Sequence, residues 1–331
     1  MQIGSISLPS PLLLAPMAGV TDIAFRAVCR ELGAGCTFSE MVSAKALCYQ
    51  DKKTRPLMEL GPEEHPAGVQ LFGSDPGGME EAAAIVAEET TADLIDINMG
   101  CPVPKIANNG DGSGLLKDLD KACKVAEGVL KGAKGKPVTV KMRLGWDKGS
   151  IVCFDLARAL EALGVAAITL HGRTKVQMYA GTANWDAIRE MKQQLSIPLI
   201  ANGDVFSGRD ARRILSYTGA DGVMLARGVF GNPWLFQQAL AAIQGQEIPP
   251  LPPLDQRCDT AVRQFELAAQ HKGERIACLE ARKHYAWYLK GVPHAAYWKG
   301  EISKITTLED VYRVTAGIKR ELKDPPREDP A

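Results

Sequence analysis

The sequence predicts a (β/α)8 TIM barrel followed by a small all-helical C-terminal domain. Three observations predict it. Eight short apolar or β-branched runs recur over the first part of the chain. Between them lie stretches with apolar residues at three- and four-residue spacing and charges in between, the mark of amphipathic helices. A proline-rich segment then separates this alternation from a stretch that reads as helix throughout. A doubly wound sheet would want Gly-x-Gly-x-x-Gly after its first strand, and the chain has Ala15-Pro-Met-Ala-Gly-Val there.

In order, the strands are expected at Leu12–Met17, Thr37–Val42, Gly68–Phe72, Leu94–Asn98, Val138–Arg143, Ala167–His171, Leu199–Asn202 and Gly222–Ala226. The clearest helical patterns are Gly78–Glu89, Asp118–Lys131, Ile151–Leu163, Trp185–Gln194 and Arg209–Tyr217. The barrel is expected to occupy residues 1–244. Residues 245–254 form the linker, because the prolines at 249, 250, 252 and 253 cannot continue a helix and favour extended backbone. Residues 255–323 form the helical domain, and the tail 324–331 is expected to fray.

Composition narrows the class. The chain has 331 residues, with 39 basic and 39 acidic side chains. A net charge of zero gives no general pull towards nucleic acid, although a local basic patch would suffice for phosphate contact. No apolar run is long enough to span a membrane, and the start does not read as a signal peptide. The eight cysteines form no Cys-x-x-Cys pair and have no histidine clusters beside them. The expectation is a reduced, cytoplasmic protein with no metal site, no membrane association and no obligate protein partner.

In such a barrel, chemistry sits at the C-terminal ends of the strands. The apolar run Leu94–Ile97 breaks into Asn98-Met-Gly-Cys101-Pro and then a Gly- and Asn-rich loop. An amide and a thiol at a strand end, before a loop that could act as a lid, suit proton donation to a substrate held against a cofactor. The competing reading is a buried cysteine packed as a small hydrophobe. Other strand ends supply Pro16-Met17, Gln70, Lys141 with Arg143, His171 with Arg173, Asn202-Gly203-Asp204 and Ala226-Arg227-Gly228. Each has a bland alternative: Lys141 snorkelling to solvent, His171 as a satisfied core histidine, Asn202-Gly203 as a turn. Their convergence on one rim favours a site. Gly203 and Gly228 fit the phosphate position that many barrels build after strands seven and eight, with Arg227 as partner. A phosphate there, with Lys141 and Gln70 facing the mouth, describes a site for flavin mononucleotide (FMN).

Several ordered motifs resemble tRNA-dihydrouridine synthases. They are Ala15-Pro-Met-Ala-Gly-Val-Thr-Asp22, Ser39-Glu-Met41, Gln70-Leu-Phe-Gly73, Asp96-Ile-Asn-Met-Gly-Cys-Pro102, Lys141-Met-Arg-Leu-Gly-Trp-Asp147, Thr169-Leu-His-Gly-Arg-Thr174 and Ile200-Ala-Asn-Gly-Asp204. Ala281-Arg-Lys-His-Tyr-Ala-Trp-Tyr-Leu289 resembles the bacterial B-type branch. The resemblance implies FMN-dependent reduction of the C5–C6 double bond of D-loop uridines in tRNA, with NADPH as reductant. It implies that Cys101 is the general acid and that Asn98 holds the uracil edge. For the flavin it implies Pro16, Met17, Ala18, Gln70, Lys141, His171, Asn202, Gly203, Asp204, Ala226 and Arg227. For tRNA it implies Lys105 and Arg173 on the barrel, with Arg282, Lys283 and His284 on the helical domain. Tyr285, Tyr288 and Leu289 sit at helical spacing, so that last helix also reads as core packing. The chain departs from the family pattern at Asp111 and Gly114 and at Ala226, where glycine is common. Two rivals are an FMN-dependent reductase or dehydrogenase of a free pyrimidine or small metabolite, and a non-catalytic tRNA-binding protein.

Overall fold

The computed structural model describes residues 1–324. Eight parallel strands form one sheet: β1 (Leu12–Leu14), β2 (Thr37–Ser43), β3 (Ala67–Phe72), β4 (Leu94–Met99), β5 (Val138–Arg143), β6 (Ala167–His171), β7 (Leu199–Asn202) and β8 (Gly222–Leu225). Neighbours in sequence pair from β2 to β8, and β8 pairs with β1. The circle closes between β1 and β2 through the Leu13–Cys36 bridge, where the Leu14 N–H donates to the Cys36 carbonyl at 2.9 Å. The result is a (β/α)8 barrel.

Seven helices alternate with the strands: α1 (Ile23–Glu31), α2 (Pro76–Glu89), α3 (Leu119–Gly132), α4 (Cys153–Leu163), α5 (Trp185–Gln194), α6 (Gly208–Thr218) and α7 (Leu235–Ile243). Side chains start most of them. Asp22, Asp75, Asp118, Asn184 and Ser207 each accept a backbone N–H from the first turn of α1, α2, α3, α5 and α6. The second unit departs from the expected repeat. After β2 come only a five-residue helix, Ala44–Cys48, and a 3-10 turn, Arg55–Met58.

β1 stops at Leu14 rather than Met17, because Pro16 has no N–H for the ladder. β8 stops at Leu225 rather than Ala226. A small antiparallel hairpin, Gln2–Ile3 with Ile6–Ser7, was not expected, since two-residue strands show no periodicity. Its Ile3, with Leu8 just beyond, packs on the inward residues Leu13, Phe38, Leu94, Ala167, Ile200 and Met224, closing the barrel's N-terminal end.

Four further helices, α8 (Leu254–Lys272), α9 (Glu274–Tyr288), α10 (Ala296–Ile302) and α11 (Leu308–Glu321), bury a separate apolar cluster that includes Phe265, Tyr285, Tyr288 and Val314. They dock through Phe230 stacked on Trp287 at 4.4 Å, and through the ion pairs Lys272–Asp22 and Arg263–Glu31. Residue 324 is not frayed: the Asp324 carboxylate accepts from the Leu254 N–H at 2.7 Å and pairs with Arg257. The remainder of the expected tail, 325–331, lies outside the described residues.

Candidate active site

Strand parity builds the site. Along β4, Ile95, Ile97 and Met99 face the helices, so Asp96 and Asn98 face the lumen. The same alternation turns Thr139, Lys141 and Arg143 of β5 inward, with His171 of β6 and Asn202 of β7. Above the apolar plug, Asn98, Lys141, Arg143, His171 and Asn202 line a cavity of about 530 Å³ at the C-terminal ends of the strands.

A chain of hydrogen bonds runs from the barrel centre to Cys101. The Thr139 hydroxyl and the Gln70 amide each donate to Asp96 at 2.6 Å. Asn98 Nδ2 donates to Gln70 Oε1 at 2.8 Å. Asn98 Oδ1 accepts the backbone N–H groups of Gly100 at 3.1 Å and Cys101 at 2.9 Å. Burial raises Asp96 to about 6 although Thr139 and Gln70 hydrogen-bond its charged form. Burial also pushes the Cys101 thiol above its usual value, outweighing the Val103 N–H and the nearby Arg143 and Lys141. The thiol is therefore protonated at neutral pH.

The cavity is cationic. Desolvation, then Arg143, lowers Lys141 to about 8, and its Nζ donates to Asn202 Oδ1 at 3.2 Å. His171 is held well below its usual value by burial and by four surrounding cations, and its buried Nε2 has no hydrogen-bond partner. Arg143 donates to the carbonyls of Gly100, Thr174 and Met178, tying the loops after β4 and β6 together. The one carboxylate among the cavity's lining residues is Asp204, and it is neutralised. Arg173 donates to both its oxygens at 2.8 Å, and the Ala183 N–H and Arg227 also reach it.

Pro16, Met17, Ala18, Asn98, Cys101, Lys105, Lys141, His171, Asn202, Gly203, Asp204, Ala226 and Arg227 all line this one cavity. Four expectations change. Gln70 is fully buried beneath the floor, where its amide serves Asp96 and Asn98. Asn98 offers a base one amide hydrogen at most, because Nδ2 already donates to Gln70 and Oδ1 accepts from Gly100 and Cys101. Arg173 is 1% exposed and belongs to Asp204 rather than to a docking surface. The segment after Cys101 is not an open lid. Gly112 to Leu116 are buried, and the Cys101 carbonyl accepts from Ser113 Oγ at 2.8 Å. Among the departures from the family pattern, Gly114 leaves no room for a side chain, since a Cβ would lie 2.6 Å from the Ala107 carbonyl. Ala226 has φ −129°, so glycine is not required there.

A family model for dihydrouridine synthases matches residues 13–323. The chain belongs to the dihydrouridine synthase family. Membership of this family makes it an oxidoreductase. It is 40% identical over 306 residues to tRNA-dihydrouridine synthase B of Pasteurella multocida, covering 92% of each chain. It is 42% identical to the Proteus vulgaris protein of the same name, covering 88% of this chain and 89% of that one. A probable tRNA-dihydrouridine synthase of Mycobacterium tuberculosis is 39% identical, with 94% and 82% covered. Among solved structures, histamine dehydrogenase from Rhizobium sp. 4-9 superposes with a TM-score of 0.56 at 12% identity, over 81% of this chain and 50% of that one. An old yellow enzyme homologue from Zymomonas mobilis gives 0.50 at 14%, over 76% and 92%. At these identities the two share the barrel.

Among the cavity residues assigned no role from the sequence, Arg143, Tyr179 and Phe206 bear on its charge. Arg143 shares the parity of Lys141, and that signal was sufficient to find it. Tyr179 and Phe206 come from loops and carry no periodic signal. Arg227 lies over both rings, at 4.6 and 5.5 Å.

On α9 the three expected contacts separate. His284 is buried between Phe25 and Trp287, and burial lowers it to about 4, which leaves it uncharged. Arg282 donates to the Ile305 carbonyl at 2.6 Å. Lys283 is exposed, and its Nζ lies 3.1 Å from where a Cβ on Gly19 would sit, beside the barrel mouth. Arg282→Ala should therefore cost about 1.5–3 kcal/mol, the worth of a charged hydrogen bond. A denaturation midpoint equal to wild type would return Arg282 to the candidate substrate contacts. No helix among the described residues is long and apolar enough to cross a membrane, and no group of residues there has metal-ligand geometry.

Proposed function

We propose that this chain is an FMN-dependent tRNA-dihydrouridine synthase that reduces the C5–C6 double bond of D-loop uridines, with NADPH as reductant. One observation carries the reading: a protonated thiol stands at the mouth of a cationic cavity whose single carboxylate is already neutralised. Flavin mononucleotide fits the residues present. The orphaned His171 Nε2 offers a polar contact on the cavity wall. At Gly203, with φ +126°, a Cβ would lie 2.7 Å from Ala183 and 3.0 Å from His171. Bare backbone there allows close approach of a phosphate, and Arg227 supplies charge. Lys141 would balance negative charge on the ring system, and Pro16 and Met17 would give it apolar surface. When bound, the flavin supplies a hydride to uracil C6.

The chain's own residues do the rest. Cys101 donates its proton at C5. Asn98 sets the direction of the Cys101 backbone, and Gln70, itself held by Asp96, holds Asn98. The target nucleotide must leave its stack to reach the mouth, at a cost of a few kcal/mol. Lys105 and Lys283, both exposed, are positioned to meet the surrounding phosphates.

The purified protein should bind FMN non-covalently and lose its yellow colour anaerobically with NADPH. With unmodified tRNA it should add the mass of two hydrogens to D-loop uridines, read by nucleoside mass spectrometry. Reduction of free uridine or uracil, with tRNA left unchanged, would overturn the assignment.

A further inference from the structure

We propose that Lys117, Trp146 and Lys175 form a binding site for a backbone phosphate of the RNA substrate, on the barrel rim outside the cavity. This rests on the functional reading above and deepens it. The three residues come from different strand ends. Lys117 closes the 3-10 helix Gly112–Lys117 that follows Cys101. Trp146 lies in the loop after β5, and Lys175 in the loop after β6. Backbone bonds join the last two loops: the Lys175 N–H donates to the Gly145 carbonyl and the Val176 N–H to the Trp146 carbonyl, both at 2.9 Å.

Lys117 Nζ lies 3.5 Å from the centroid of the Trp146 ring, and Lys175 Nζ lies 4.2 Å from it. The two ammonium groups are therefore within about 8 Å of each other, no more than the screening length at physiological salt. Two like charges are thus gathered over one ring. Among the described residues, the lysine ion pairs are those of Lys134, Lys192, Lys272, Lys304 and Lys319. Lys117 and Lys175 have none. The nearby carboxylates are otherwise engaged: Asp118 caps α3, and Asp147 accepts from the Gly149 N–H and Ser150 Oγ. An anion bridging the two ammoniums would relieve their repulsion, and a phosphate has the oxygens to accept from both.

Phosphate could come from RNA or from NADPH. The RNA backbone is favoured because none of the three residues lines the cavity a flavin would occupy, whereas a reductant must reach into it. The rim beside them also exposes Val176 and Tyr179, at 59% and 51%, as apolar surface for unstacked bases.

The test uses full-length, FMN-loaded protein carrying Lys117→Gln with Lys175→Gln, and an unmodified tRNA transcript titrated at several salt concentrations. Affinity should fall roughly three- to tenfold at physiological salt, and the slope of log affinity against log salt should flatten by about one. Trp146→Leu, which keeps both charges, should weaken binding with little change in slope. The melting midpoint and KM for NADPH should match wild type in the double variant. A wild-type salt slope in that variant, or a raised KM for NADPH with tRNA affinity intact, overturns the site. A wild-type protein that fails to bind the transcript overturns the functional reading, and the site with it.

Discussion

Cys101→Ala should lower dihydrouridine formation by a factor of about 10² or more, the typical contribution of a positioned acid. FMN binding and flavin reduction by NADPH should be unchanged. The split follows from where the residue stands. Its side chain lines the mouth, while its N–H and carbonyl are held by Asn98 and Ser113, bonds that alanine keeps. The thiol is raised by burial, so the donating form persists through neutral and mildly alkaline pH. The uridine step should fall only as pH rises above the usual thiol range. Single-turnover kinetics separate the two half-reactions. If flavin reduction collapses together with dihydrouridine formation, Cys101 is structural and the acid must be sought elsewhere.

The second large effect is on stability. Asp204→Asn should destabilise the barrel by about 3–5 kcal/mol, because it leaves Arg173 as a buried charge without a counter-ion. Arg173 is 1% exposed and cannot turn to solvent, and Arg143, Arg227 and Lys141 surround the same space. Burial alone would raise the Asp204 carboxyl, but the bonds from Arg173 and Ala183 hold it below the usual carboxylate value. A group whose folded value is depressed contributes stability above its unfolded value and loses it as pH falls through the folded one. Wild-type stability should therefore drop at acid pH, below about 4. The variant should lack that part of the drop. Thermal melts across pH measure both effects. A variant that melts with wild type at pH 7 would show that Arg173 finds another partner. The exposed pair Lys134–Glu88 offers the contrast, since its removal should cost no more than about 1 kcal/mol.

Much of this molecule was legible in its sequence because it depends on local periodicity. Alternation along Leu94–Met99 and Val138–Arg143 sets which residues enter the lumen. A barrel directs function to the strand ends, so Cys101, Lys141, His171 and Asn202 could be grouped before their distances were known. What the sequence could not decide is the partner each polar side chain takes. Gln70, Asn98 and Asp96 come from two strands, and only the register in which β3 pairs with β4 joins them into a chain ending at the Cys101 N–H. Arg173 reads as a free cation until the left-handed backbone at Asp204, φ +56°, brings a carboxylate to it from thirty-one residues away. His284 and Arg282 look like an RNA grip in a motif rich in cations and aromatics. Docking of α9 on α1 and on the segment before α11 turns one into core and the other into a hydrogen bond, leaving Lys283 at the surface. Periodicity is a property of neighbours in the chain. Burial and pairing belong to neighbours in space, and so only the tertiary structure decided them.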